Sequence, residues 1–395
     1  MIRPSALLPD GGHEVTPDDL YRRIRRGESV HLLDVRTPEE FAEWHIDGDS
    51  VTATNVPGPA FEDGVPDSIT RAPAADEPFV VVCAKGISSA TIAARLRDAG
   101  IEAANLADGM EGWARVYDRL PVERYEGPGT LFQYRRPSSG CLSYLLVDDD
   151  EAAIVDPLRA FTDRYRTDAT DLEATLRYAF DTHVHADHFS GVRQLATDGV
   201  EGVVPGAAID RGVTFDDEVT VAEDGDTFSV GDATVDVIHT PGHTTGMTSY
   251  LVNDSVLLTG DGLFIESVAR PDLEAGDEGA ERAARQLYES LHERILSLDD
   301  DVVVAPSHFS ESADPAADGT YTSTLAELRA TMPILEADEA TFVDRILSDM
   351  PPRPANYRTI VAANLGREAV SDADAFQLEL GPNNCATNTD ALTSD

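Results

Sequence analysis

Between His183 and His188, in the run Asp181-Thr182-His183-Val184-His185-Ala186-Asp187-His188-Phe189-Ser190-Gly191, three imidazoles and a carboxylate share six positions. The apolar segment Leu176-Arg177-Tyr178-Ala179-Phe180 precedes them and includes a strand. A helix would distribute these side chains around its circumference, whereas a loop leaving a strand end can turn all of them into one hole. Clustered imidazoles of this kind bind transition metals. The same arrangement recurs downstream. Ala233-Thr234-Val235-Asp236-Val237-Ile238 alternates as a strand and leads to His243 in Thr240-Pro241-Gly242-His243-Thr244. Leu257-Leu258-Thr259-Gly260 stops on Asp261, and Val302 to Ser307 delivers His308. Four strand ends therefore supply His183, His185, Asp187, His188, His243, Asp261 and His308. A two-ion centre would activate water for hydrolysis. Two histidines and one carboxylate on one face of a single Fe(II) would leave room for substrate and dioxygen. The ligand count accommodates either.

The second reactive group is Cys83, in Cys83-Ala84-Lys85-Gly86-Ile87-Ser88-Ser89. It follows Phe79-Val80-Val81-Val82, continuously apolar as a buried parallel strand requires, and precedes a helix carrying Ile92 and Leu96. Backbone N–H groups at such a junction gather an anion and lower a thiol pKa. Gly86 permits the tight curl, and Lys85 adds positive charge beside the thiol.

The elements around these groups divide the chain. Thr16-Pro17-Asp18-Asp19 and Thr37-Pro38-Glu39-Glu40 are capped helix starts, and strands alternate with helices to about residue 122, the pattern of an α/β sheet. Residues 123–130, with Gly127-Pro128-Gly129, read as a linker. From Leu131 to residue 366 the strands dominate, with two-residue hairpin turns at Gly231-Asp232 and Asn253-Asp254. A helix is expected around Asp171 to Tyr178, and a long amphipathic one carries Leu287, Leu291, Ile295 and Leu298. Helices at Tyr321 to Ala330 and Asp338 to Met350 are expected to cover the pocket. Residues 367–395 are polar and acidic and read as a disordered tail, with Cys385 given no role.

With 73 acidic against 30 basic residues the formal net charge is −43, and Lys85 is the sole lysine. Such a surface repels nucleic acids and anionic membranes. The acids are spread along the whole chain, which suggests a halophile's protein. The N-terminal apolar run, Ala6-Leu7-Leu8 before Pro9, is too short for a signal peptide or membrane span. Three scattered cysteines make no disulfide framework. The expectation is a soluble cytoplasmic protein, and a homo-oligomer is compatible with it.

Leu33-Asp34-Val35-Arg36, Trp44-His45-Ile46-Asp47-Gly48, the Cys83 loop and Gly109-Met110-Glu111-Gly112-Trp113 resemble, in order, a rhodanese (sulfurtransferase) domain. That resemblance implies that Cys83 carries sulfane sulfur as a persulfide, taken from thiosulfate or another sulfane-sulfur donor. At the position of Ser88, active members usually have an arginine. Residues 130 to 310 resemble the metallo-β-lactamase superfamily, which implies an αββα sandwich with its site at one sheet edge. Within it, the chain looks like the persulfide dioxygenase (sulfur dioxygenase) family at Phe132-Gln133-Tyr134, Gly140-Cys141-Leu142-Ser143-Tyr144-Leu145, the histidine loop and Pro241-Gly242-His243-Thr244. The likeness continues through Gly260-Asp261-Gly262-Leu263-Phe264, Ala269-Arg270-Pro271-Asp272 and Pro352-Arg353-Pro354-Ala355-Asn356-Tyr357. The family often has Asp-Tyr where this chain has Phe309-Ser310. What the resemblance implies is one Fe(II) per chain on His183, His243 and Asp261. His185, Asp187, His188 and His308 would then orient those ligands or form a second metal site. Arg270 and Asp272 would be a substrate-side ion pair. The implied reaction converts a small-thiol persulfide, dioxygen and water into thiol and sulfite. The alternatives are a glyoxalase-II-like thioester hydrolase with two zinc or mixed metals, and a non-catalytic sulfur carrier or scaffold. Cys141 reads as packing.

Overall fold

The computed structural model describes residues 13–70, 78–310, 312–348 and 350–387. The Ala6-Leu7-Leu8 run lies outside them. The chain divides into two compact units, the first ending at Tyr117 and the second starting at Asp118, with Arg136–Ser139 grouped with the first.

In the first unit five parallel strands run in the order Glu14–Val15, Ala103–Leu106, Phe79–Val82, Val30–Asp34, Val51–Asn55. Both faces are covered, which explains the unbroken apolar run. Val80 and Val82 pack on one side with Leu20, Leu106 and Trp113, while Phe79 and Val81 pack on the other with Phe61, Ile92 and Leu96. Thr16 caps the helix Pro17–Arg25, and Thr37 with Glu40 forms a reciprocal capping box on Pro38–Glu43, as their sequences predict.

The second unit holds two sheets. The seven-stranded sheet has the order Thr220–Ala222, Glu201–Pro205, Thr175–Phe180, Glu151–Val155, Cys141–Asp148, Thr130–Arg136, Asp118–Pro121. The six-stranded sheet has the order Thr227–Val230, Ala233–His239, Thr248–Val252, Val256–Gly260, Val303–Pro306, Ser323–Thr324. Leu131, Tyr144, Leu146, Val155 and Phe180 from the first meet Val235, Tyr250, Val252, Leu258 and Val303 from the second in one core. Outside the second sheet, Leu257 and Val304 pack against Leu287, Leu291, Ile295, Leu328 and Phe342 of the helical layer. This is the αββα sandwich. The hairpin turns occur where expected, and Asn253 and Asp254 both take the positive φ such a turn demands.

Five expectations need correction. The unit boundary falls at Tyr117–Asp118, not at 122. Asp118–Pro121 is an edge strand antiparallel to Thr130–Arg136, so residues 122–129 connect a hairpin and are not a linker. Its charges and terminal proline suit an edge, where one side of the ladder needs no partner. The helix before the histidine loop is Thr162–Asp171, and Thr175–Phe180 is strand throughout. The helix Glu339–Ser348 lays Phe342, Val343 and Ile346 on the outer helical layer, so its apolar face serves that core instead of a pocket. Finally, residues beyond 366 are folded as far as Thr387. The helix Asp372–Leu378 is capped by Ser371, and Thr387 N donates to Val268 O at 3.0 Å. The stretch 388–395 lies outside the described residues. Among the described residues no helix is long and apolar enough to cross a membrane.

Candidate metal centre

The strands Thr175–Phe180, Ala233–His239, Val256–Gly260 and Val303–Pro306 end at one edge of the sandwich and release the histidine loop, His243, Asp261 and His308 there. Two further strand ends join them. Glu151–Val155 runs parallel to Thr175–Phe180 and ends at Asp156. Cys141–Asp148 runs antiparallel to Glu151–Val155, so its first residue, Cys141, lies at the same edge. Gly260 makes the close approach possible. At φ +55°, a Cβ there would sit 2.1 Å from Met247 Cε and 2.6 Å from Thr182 Oγ1.

One nitrogen each of His183 and His243 and one oxygen of Asp261 lie within 4.8 Å of one another, in buried surroundings. His183 Nε2 is 3.5 Å and His243 Nε2 3.7 Å from Asp261 Oδ2. Two donors about 2.1 Å from a common ion stand roughly 3.0–3.5 Å apart at ordinary coordination angles, so the trio needs only a slight contraction. Each residue's other heteroatom is occupied. His183 Nδ1 meets Thr182 Oγ1 at 2.9 Å, His243 Nδ1 donates to Arg270 O at 2.9 Å, and Asp261 Oδ1 accepts from His308 Nδ1 at 2.6 Å. His183 Nε2, His243 Nε2 and Asp261 Oδ2 are buried without a hydrogen-bond partner. Three orphaned donor atoms facing one point, each on a side chain oriented from behind, are what a cation requires. Protonation agrees. Burial, then His185, pushes His183 down to about 3, and burial lowers His243, so both imidazoles are neutral. Burial alone would raise Asp261, but His308, with the His183 imidazole close by, outweighs it and holds the carboxylate ionised.

The remaining residues form a connected network. His308 lies between carboxylates, Nδ1 to Asp261 and Nε2 to Asp187 Oδ2 at 2.8 Å. With both nitrogens donating it is an imidazolium; burial opposes the charge and the two carboxylates prevail. Asp187 Oδ2 also accepts from His188 Nδ1 at 3.0 Å and from the Cys141 thiol at 3.4 Å. Burial and Asp187 raise the Cys141 thiol, but His308 and His188 leave its pKa net lowered. His185 Nε2 faces Asp156 at 3.1 Å. Burial and His188 depress His185, and Asp156 pulls it up to about 9. His185 is therefore not among the three converging donors, although the sequence places it beside His183. A second ligand-type group, Cys141, Asp187, His188 and His308, adjoins the first, and Cys385 meets Asp187, Asp261 and His308 in another.

Arg270 and Asp272 form an ion pair, as expected. Arg270 is buried and grips Asp272 at 2.8 and 3.1 Å, while its Nη1 donates to Pro352 O at 2.9 Å and Asn384 O at 3.0 Å. Asp272 also accepts from Arg353 at 2.9 Å. A buried guanidinium must spend its donors on fixed acceptors, and these acceptors fasten the C-terminal segments to the site. Through this clamp Cys385 reaches the metal edge, with Arg270 N donating to Cys385 O at 3.3 Å. Sequence reasoning missed Asp156, Asn364 and Cys385. Asn364 Nδ2 donates to His185 O at 3.0 Å and His188 O at 2.9 Å, and its Oδ1 accepts from Ser190 N at 3.0 Å. Asn364→Ala removes three of the bonds that shape the histidine loop. It should weaken metal affinity about 10–100-fold, measurable by competition with a chelator.

In the first unit Cys83 leaves the strand Phe79–Val82, and Gly86, at φ +73°, opens the helix Ile87–Asp98. Its Sγ is 3.0 Å from Ser89 Oγ, which donates to Asn105 Oδ1 at 2.7 Å. Burial raises this thiol, yet the Ser88 and Ser89 hydroxyls and the N–H groups of Ser89 and Lys85 lower it overall. The charge of Lys85 is not the agent, since its ammonium pairs with Glu111 at 3.1 Å. The loop rests on Gly109, where a Cβ would fall 2.0 Å from Cys83 O. Gly109→Ala should therefore destabilise this unit by about 3 kcal/mol or more, seen as a lowered first transition in thermal unfolding.

Residues 16–116 match the rhodanese-like domain and residues 137–308 the metallo-beta-lactamase superfamily. Fold and site thus define a rhodanese-like domain joined to a metallo-β-lactamase domain with a metal centre. Over 247 residues the chain is 32% identical to the mitochondrial persulfide dioxygenase ETHE1 of Homo sapiens, covering 60% of this chain and 88% of that protein. It belongs to the ETHE1 persulfide dioxygenase family. The crystal structure of ETHE1 from Myxococcus xanthus aligns with a TM-score of 0.51 at 29% identity, over 60% of this chain and 98% of that one. A metallo-beta-lactamase from Staphylococcus aureus aligns with a TM-score of 0.56 at 28% identity, over 62% and 75%.

Proposed function

We propose that the second unit oxidises a small-thiol persulfide to sulfite and thiol with one Fe(II) held by His183, His243 and Asp261. The observation that carries this is the trio of buried, unpartnered donor atoms, two imidazole nitrogens and one carboxylate oxygen. An iron so held would supply adjacent binding positions for sulfur and dioxygen. The chain's own residues do the rest. Thr182, the Arg270 carbonyl and His308 fix the ligand tautomers and orientations. His308 holds a proton on each ring nitrogen between Asp261 and Asp187, a donor aimed at the ligand carboxylate. Burial of the whole set excludes bulk water from the reacting sulfur.

The Cys83 loop, with its thiol pKa lowered by fixed N–H and hydroxyl donors, would carry sulfane sulfur on the same chain. Thiosulfate or another sulfane-sulfur donor would load it. Cys83→Ser should abolish sulfur transfer from such a donor and leave direct persulfide oxidation intact.

A second reading, thioester hydrolysis at two ions, is favoured by the adjoining group Cys141, Asp187, His188 and His308. Against it, both nitrogens of His308 are already committed to carboxylates. The deciding experiment offers iron-loaded protein a glutathione-type persulfide in an oxygen electrode, and separately a glutathione thioester. Dioxygen uptake matched by sulfite supports oxidation. Thioester cleavage without uptake supports the hydrolase.

A further inference from the structure

We propose that Cys141 is a sulfur acceptor within this site, taking the sulfane sulfur of the substrate as a protein persulfide; this rests on the persulfide reading above. Cys141 is in no disulfide, and a hydrogen-bond chain through Asp187 and His308 joins its thiol to Asp261 of the centre. Its backbone is pinned to the strand end that delivers His308. The two residues form a β-bridge, and Leu142 N donates to Ser307 O at 2.7 Å. Cys141 Sγ, a carboxylate oxygen of Asp187 and one ring nitrogen each of His188 and His308 lie within 4.8 Å of one another. Asp187 Oδ2 orients both imidazoles, at 3.0 and 2.8 Å. The thiol donates to that same Oδ2 at 3.4 Å, so a fixed carboxylate base stands at the sulfur, one of the arrangements that activates a nucleophile. A second observation points to a ligand here. His188 Nε2 and Asp187 Oδ1 are buried without hydrogen-bond partners, so the pocket keeps polar capacity that an incoming group would satisfy. Neither Cys141, Asp187 nor His188 belongs to the converging trio His183, His243 and Asp261.

The step balances without an oxidant. Cys141 Sγ attacks the terminal sulfur of R–S–SH, a Cys141 S–S bond forms and the R–S–S bond breaks. The thiol proton passes along its hydrogen bond to Asp187 Oδ2 and from there to the departing RS⁻, giving RSH and Cys141–S–SH. The transferred sulfur keeps its oxidation state. The small thiol can then leave before oxidation begins.

The test uses the full chain as purified, carrying Cys83→Ser, incubated without dioxygen with a glutathione-type persulfide. The expected result is one extra sulfur atom on the Cys141 peptide by mass spectrometry, removed by dithiothreitol, with an equal amount of thiol released. Cys141→Ser should lose both signals, and Asp187→Asn should slow labelling about a hundredfold, with thermal unfolding as the control for folding. Sulfur found on Cys385 with Cys141 unmodified, or no sulfur on either, overturns the proposal. Because no turnover occurs without dioxygen, labelling and the oxygen-electrode result are independent: labelling without uptake would sink the oxidation reading alone, and uptake without labelling would sink this one alone.

Discussion

His243→Ala is expected to empty the centre, reducing bound metal from about one ion per chain to near none and abolishing oxidation. His243 contributes one of three converging atoms, and its Nδ1 is committed to the Arg270 carbonyl, so only its Nε2 can serve the ion. A metal supplies several kcal/mol of stabilisation to a reacting oxygen or sulfur, and each ~1.4 kcal/mol is tenfold. The loss should therefore exceed about a thousandfold. His185→Ala is the informative contrast. His185 is equally prominent in the sequence but faces Asp156, so the metal count should fall far less. Elemental analysis of both variants checks the difference, with thermal unfolding as the control for folding.

The largest stability effect is expected at Asp156. This fully buried carboxylate accepts from Thr182 N at 2.7 Å, Thr182 Oγ1 at 2.9 Å and the Ser307 hydroxyl, and faces His185. It ties together the ends of Glu151–Val155, Thr175–Phe180 and Val303–Pro306. Asp156→Ala leaves an amide, two hydroxyls and an imidazole buried without their acceptor. Breaking such a network costs about 3–5 kcal/mol, to be read from the denaturant midpoint. The same group has an acid signature. Burial pushes its pKa up, but His185, His183 and Ser307 hold it down at about 2. A folded-state pKa below the unfolded one means stability that is present above about pH 4 and lost as the pH falls toward 2. Asp156→Asn should flatten that acid limb.

Which parts were legible follows from how local their signals are. The candidate ligands stand at the ends of apolar runs, and a strand that stops on a polar group betrays itself within a window of ten residues. Asp156 obeyed the same rule after Ala153-Ile154-Val155 and was overlooked only because an isolated aspartate is commonplace. The helix Thr162–Asp171 was misplaced for a physical reason: it buries little apolar surface, chiefly Tyr165 and Ala169. The last segment could not have been read locally. Its composition is that of a disordered tail, and its order comes from Arg270, from pairing with Val268 and Ala269, and from Glu379 reaching back to the histidine loop. A cysteine at the start of a strand, as Cys141 is, reads as packing from sequence alone. Only the antiparallel register brings it beside Asp187.

The most direct measurement is a metal count on protein prepared without dioxygen, titrated to saturation with Fe(II) and then with Zn(II). One ferrous ion per chain, lost in Asp261→Asn, is the predicted result. Two tightly held ions per chain, with the second lost in His308→Ala, would contradict a centre built on His183, His243 and Asp261 alone.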